Sequence, residues 1–177
     1  MTRAPLQRFV DELRTDPALS RQLPGPPSEW IPNFDPANGN ETARFLLVLE
    51  APGPRAKETG FVSFDNPDPT ARTLKAQLDE AGISRRDLVL WNIVPWYLRG
   101  TPSKDEIELG ISLLLRLLDE LPNLECIVLV GSAARKAHLA LSMRTRARIL
   151  TCHHTSLRGQ NQKGRAEENR AVFGMLK

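Results

Sequence analysis

Four short runs of aliphatic and β-branched residues, each followed by a helical pattern, constrain this chain more than any other feature. They are Phe45–Glu50, Asp87–Asn92, Glu125–Val130 and Ala147–Cys152. Near-continuous apolar runs of this length fit strands covered on both faces, as in a parallel sheet. Between them, Thr70–Ala81 places Ala71, Leu74 and Leu78 at helical spacing and stops at Gly82. Ser103 stands three residues before Glu106, a capping-box spacing, and Ile107, Ile111, Leu114, Leu115 and Leu118 follow up to Pro122. Ala133–Leu141 and Glu167–Leu176 predict two further helices, and Pro5–Leu13 an opening one. With right-handed crossovers, this order predicts an α/β fold: a three-layer α/β/α sandwich around a central four-stranded, mainly parallel sheet.

The 177 residues suit one domain with its own core. Residues 1–44 read as the N-terminal helix and a Pro/Gly/Asn-rich wrap, and 45–177 as the α/β core. No apolar run approaches the ~18 residues of a membrane span. Asp11 and Glu12 interrupt the N-terminal stretch where a signal peptide would be apolar. A cytoplasmic protein with no membrane partner is therefore expected. Cys126 and Cys152 both lie inside strand-like runs and read as reduced thiols, too few for a four-cysteine zinc or iron–sulfur site. No cofactor and no metal are expected.

Charge is spread unevenly. Residues 135–177 hold ten Lys/Arg and two Asp/Glu, a balance of +8, which leaves −5 on the first 134 residues of a chain whose net charge is +3. A basic end on a near-neutral chain suits a polyanionic partner, because phosphate neutralisation releases condensed counterions. A merely solvated surface fits the charge alone equally well.

Ligands in sheets of this kind sit outside the carboxyl ends of the strands. The first run leads into Glu50-Ala51-Pro52-Gly53-Pro54, a stiff turn in which Gly53 admits close approach of a ligand. Glu50 reads either as a carboxylate that orients a water or as an acceptor for neighbouring backbone N–H groups. The loop Thr59–Pro67 carries Phe61 and Phe64, rings that either stack on a flat ligand or plug the core. Asn92 ends the second run; its amide can match the edge of a base or cap the loop. The fourth run leads into His153-His154-Thr155-Ser156-Leu157-Arg158. Adjacent histidines on an extended chain point apart and have no carboxylate nearby in sequence, so they do not form a metal site. Cys152 and His153 face opposite ways, which argues against a nucleophile dyad. Leu157 is either a core anchor or a wedge between bases.

Together these segments resemble the uracil-DNA glycosylase superfamily. Glu50-Ala51-Pro52-Gly53 is similar to that family's first motif, Asn92 ends the strand where the family keeps its uracil-reading Asn, and His153–Leu157 is similar to its second motif. The likeness runs from about Phe45 to Leu157. It departs in three places: the iron–sulfur cysteines of the branch with this first motif are missing, Leu49 replaces a Gly, and His154 replaces a Pro. The resemblance implies a monofunctional DNA glycosylase of base excision repair, a monomer that flips uracil out of DNA and hydrolyses its N-glycosidic bond. By the same resemblance Glu50, His153 and Asn92 are catalytic. Ala51, Pro52, Gly53 and Phe64 (or Phe61) join Asn92 and His153 around the base, with Ala51 where the most active branch has a water-activating Asp. Leu157, Arg158, Lys163 and Arg165 would contact DNA. The alternatives are a uracil- or abasic-DNA binding protein with little turnover, and a glycosylase for other deaminated bases.

Overall fold

The fold is that of a computed structural model, in which residues 4–156, 162 and 164–176 are described. Helices α1 (Pro5–Thr15), α2 (Pro17–Ser20), α3 (Pro27–Trp30), α4 (Pro54–Thr59) and α5 (Pro69–Glu80) each begin on a proline. Proline's missing N–H is harmless there and its φ is already helical. The chain continues with α6 (Lys104–Leu117), α7 (Gly131–Arg135), α8 (His138–Arg144) and α9 (Arg165–Gly174). The strands are β1 (Asn33–Phe34), β2 (Phe45–Leu49), β3 (Phe61–Val62), β4 (Leu88–Asn92), β5 (Cys126–Val130) and β6 (Arg148–Cys152).

The four apolar runs form one sheet in the order β4-β2-β5-β6, with every pairing parallel. Side-chain alternation divides the core into two layers. Leu46, Val48, Val89, Trp91, Ile127 and Leu129 meet α1, α6 and α8, whereas Phe45, Leu47, Leu88, Leu90, Cys126 and Val128 meet α5 and α9. The three-layer α/β/α architecture follows. Because β4 lies on one side of β2 and β5 on the other, the strand order reverses at β2, and a crevice opens over its carboxyl end.

Two local devices place that crevice. The capping box Ser103–Glu106 starts α6, and its Gly110 lies so close to the Ile93 carbonyl that a Cβ would come within 1.8 Å of the oxygen. Only glycine lets the helix seat against the segment that follows Asn92. The helix expected over Ala133–Leu141 is two helices. Lys136 and Ala137 donate to Ala133 and Ala134, three residues back, and the tightened turn re-aims the chain so that Ala137 and Leu141 are fully buried. The wrap is not a plain loop either. It contains α3 and also β1, which pairs in parallel with β3 (Asn33↔Phe61, Phe34↔Val62), and Phe34 stacks on Trp91 with ring centroids 5.0 Å apart.

Candidate active site

A cavity of about 300 Å³ opens over the carboxyl ends of β2 and β4. Its walls come from the β2–α4 turn (Ala51, Pro52, Gly53), the loop after β3 (Ser63, Phe64), the first turns of α5, the end of β4 and one histidine. Asn92 reaches it because it shares the parity of Leu88 and Leu90, which face the α5 layer. Its side chain is 3% exposed and its Nδ2 has no hydrogen-bond partner among the described residues. A buried amide donor without a partner is costly, and this one borders the cavity, where an acceptor brought in from outside could reach it.

Phe64 lines the cavity and is 3% exposed, whereas Phe61 is 36% exposed and does not line it. The loop bearing Phe64 is held from below. The Ser63 hydroxyl donates to Asp35, and Arg85 donates to Asp35 (3.1 Å), Asp65 (2.9 Å) and Asn38 (2.9 and 3.0 Å), with its guanidinium 5.9 Å from the Phe64 ring centre. Arg85 and Asp35 were not singled out from the sequence. They lie 50 residues apart, and no local pattern announces their meeting.

The histidine in the cavity is His154. His153, expected from the sequence to face the base, turns the other way, with its Nε2 2.7 Å from Glu168 and its ring over a groove beside α9. The reason is strand alternation. Cys152 faces the α5/α9 layer, as Asn92 does, so the next residue points away and the one after returns. The His154 ring packs over Gly131, whose φ of +88° and missing Cβ make the seat: a methyl there would lie 3.3 Å from the ring. Its Nδ1 accepts the Ser156 backbone N–H at 3.1 Å, which sets the tautomer and makes Nε2 the protonated nitrogen. Burial lowers its pKa from the ordinary histidine value, and the Glu50 carboxylate opposes that only in part. A neutral imidazole carrying its proton on Nε2 results.

Glu50 is half-buried and does not line the cavity; its carbonyl accepts the Val94 N–H at 3.0 Å, tying the ends of β2 and β4 together. The Cys152 thiol is pushed up to about 12 by burial, so it stays protonated and is no nucleophile. Among the described residues no group of three or more His, Cys, Asp and Glu is placed to hold a metal ion, and no helix is long and apolar enough to cross a membrane. Arg165 opens α9, which runs antiparallel to β6, so this arginine stands at the same end of the sheet as the cavity. Leu157, Arg158 and Lys163 lie outside the described residues. The basic segment is in part internal: Arg144 pairs with Asp119, Arg170 with Glu80, and Arg148 and Arg135 donate to the Met175 and Cys152 carbonyls.

A family model described as the uracil DNA glycosylase superfamily matches residues 36–175, which takes in the sheet and every wall of the cavity. The chain belongs to the uracil DNA glycosylase superfamily. Among solved structures, it is similar to a solution NMR structure described as "a putative Uracil DNA glycosylase" from Methanosarcina acetivorans. The two chains are 18% identical and superpose with a TM-score of 0.58, covering 82% of this chain and 98% of the other. That likeness is one of fold. None of the curated proteins matches this chain. Membership of the superfamily supports a DNA glycosylase role with DNA as the partner.

Proposed function

We propose that the chain is a monofunctional DNA glycosylase that removes uracil from DNA by hydrolysing the N-glycosidic bond. One observation carries this: a neutral, Nε2-protonated imidazole, a buried amide whose Nδ2 has no partner among the described residues and a phenylalanine ring converge on a single cavity at the sheet's carboxyl end. An extruded base stacks on Phe64. The Asn92 amide reads its polar edge, which gives its buried Nδ2 an acceptor and disfavours bases that leave it unpaired. As the C1′–N bond breaks, its electron pair stays on the base, and His154 Nε2–H donates to the base oxygen where negative charge gathers. Water adds at C1′, forming the C–O bond, and loses a proton to solvent, while the base anion takes one up, so that the products are the abasic sugar and neutral uracil. Ala51 has no group to hold that water, so the backbone of the β2–α4 turn orients it while the Glu50 charge favours the cationic sugar.

The catalytic imidazole in this reading is His154, one place beyond the motif position expected from the sequence. The test is base release from uracil oligonucleotides placed opposite adenine, opposite guanine and unpaired. Alkali-labile abasic sites from the wild type and their loss in H154A support the reading. Tight binding with no release after long single-turnover incubation supports a capturing protein instead. A second reading, excision of other deaminated bases, is favoured by the small side chains of Ala51, Gly53, Ala56 and Ala71 in the cavity wall. Release of hypoxanthine or xanthine from a lesion panel in preference to uracil would establish it.

A further inference from the structure

We propose that Asn169 is a positioning residue for His154, acting through the backbone of His153; this rests on the reading of His154 as the donor to the departing base. The β5–β6 ladder ends at the pair Val130↔Cys152, so the next peptide has no strand beside it. Asn169 of α9 takes over that function. Its Oδ1 accepts the His153 N–H at 2.8 Å and its Nδ2 donates to the His153 carbonyl at 2.9 Å. Both polar atoms of the amide are spent on one residue's main chain, much as a neighbouring strand would spend them. From the opposite layer, Arg135 donates to the Cys152 carbonyl at 3.0 Å.

The consequence is directional. With its N–H and carbonyl both held, His153 keeps an extended backbone, and an extended backbone places consecutive side chains on opposite sides. That parity carries His154 to the Asn92 side, where Gly131 and the Ser156 N–H receive the ring. Were packing alone required between β6 and α9, an apolar residue would serve, as Phe173 does one turn later. Asn169 is instead a fully buried amide (0% exposed), a choice explained by the two main-chain bonds it makes. The His153 side chain is dispensable to this arrangement, because only its backbone is gripped.

The experiment is a double-mutant cycle on single-turnover base release from a duplex with uracil opposite guanine. N169A and N169D are each made alone and in the H154A background, and affinity for the same duplex and the 15N spectrum of the His154 imidazole are measured alongside. N169D retains the volume and removes the donor, so it carries the test if N169A does not fold. The expected result is a rate lower by about 10²-fold, the scale of a ring displaced by ~1 Å, with duplex affinity unchanged. That loss should vanish in the H154A background, and the imidazole of N169D should show a mixture of tautomers in place of Nε2–H alone. Persistence of the loss in H154A, or wild-type rates in both Asn169 variants, overturns the proposal while leaving the role of His154 intact. If H154A itself releases uracil normally, the reading of the site fails, and the imidazole spectrum alone then decides: an unchanged spectrum in N169D overturns the positioning role.

Discussion

Replacing Asn92 by leucine should make the protein more stable and less useful, and the size of both effects follows from the structure. The amide is 3% exposed, and its Nδ2 has no partner among the described residues. An unsatisfied buried polar group costs about 1–3 kcal/mol, and leucine has nearly the same volume without that penalty. A chain of this length shifts its Tm by about 2–4 °C per kcal/mol, so N92L should melt roughly 2–12 °C higher than the wild type. The same variant can no longer pair with the base edge, and its single-turnover release of uracil should fall by about 10²–10³-fold, the usual cost of one lost polar contact in a transition state. Calorimetry and base release on one preparation give both numbers. The reasoning is refuted if N92L melts lower while releasing uracil at the wild-type rate. Asn92 would then be a structural amide.

The paired histidines should separate cleanly. H154A should lower base release by about 10²–10³-fold, whereas H153A removes only a partly exposed contact with Glu168 and should cost less than about tenfold, near 1 kcal/mol. Because burial holds the His154 pKa below its ordinary value, unfolding takes up a proton as pH falls through the ordinary histidine range. Stability should therefore decline below about pH 6.5 and level off once the folded state is also protonated, and H154Q should flatten that decline in Tm measured against pH. Base release should weaken over the acid limb on which His154 itself takes up its proton. G131A places a side chain at φ +88° and presses a methyl to 3.3 Å from the His154 ring. It should cost roughly 1–2 kcal/mol of stability, read as a Tm lowered by about 2–8 °C, together with a slower release of base.

Much of the architecture was legible in the residues themselves. The four runs sit in the sheet within a residue of their expected ends; β2, β4 and β5 are apolar on both faces, as covered strands are, whereas the edge strand β6 exposes Arg148 and Thr151. Ser103 and Glu106 announced α6 by a local reciprocal bond. Short elements such as α4, β1 and β3 gave no such signal, since two to six residues held by distant partners leave no periodicity to read. At the site, Asn92 and Phe64 were legible from their places at a strand end and in a Gly- and Pro-bounded loop, and both line the cavity. The histidine that lines the cavity is His154, one position beyond the one the motif points to. The alternation through Leu150, Cys152 and His154 was in the sequence, but which of its two faces met Asn92 was not.

The order of apolar runs, turns and caps is local chemistry, and local chemistry by itself determined that this chain forms a parallel sheet whose strand ends carry the polar motifs. Tertiary structure alone decided which imidazole enters the cavity, because that depends on α9 supplying Asn169 to the backbone of His153 across 16 residues of chain. It also decided that Arg85 and Asp35 meet beneath the Phe64 loop. Side chains brought together by packing have no shared pattern in sequence; they become neighbours only when burial of the two core layers fixes every element at once.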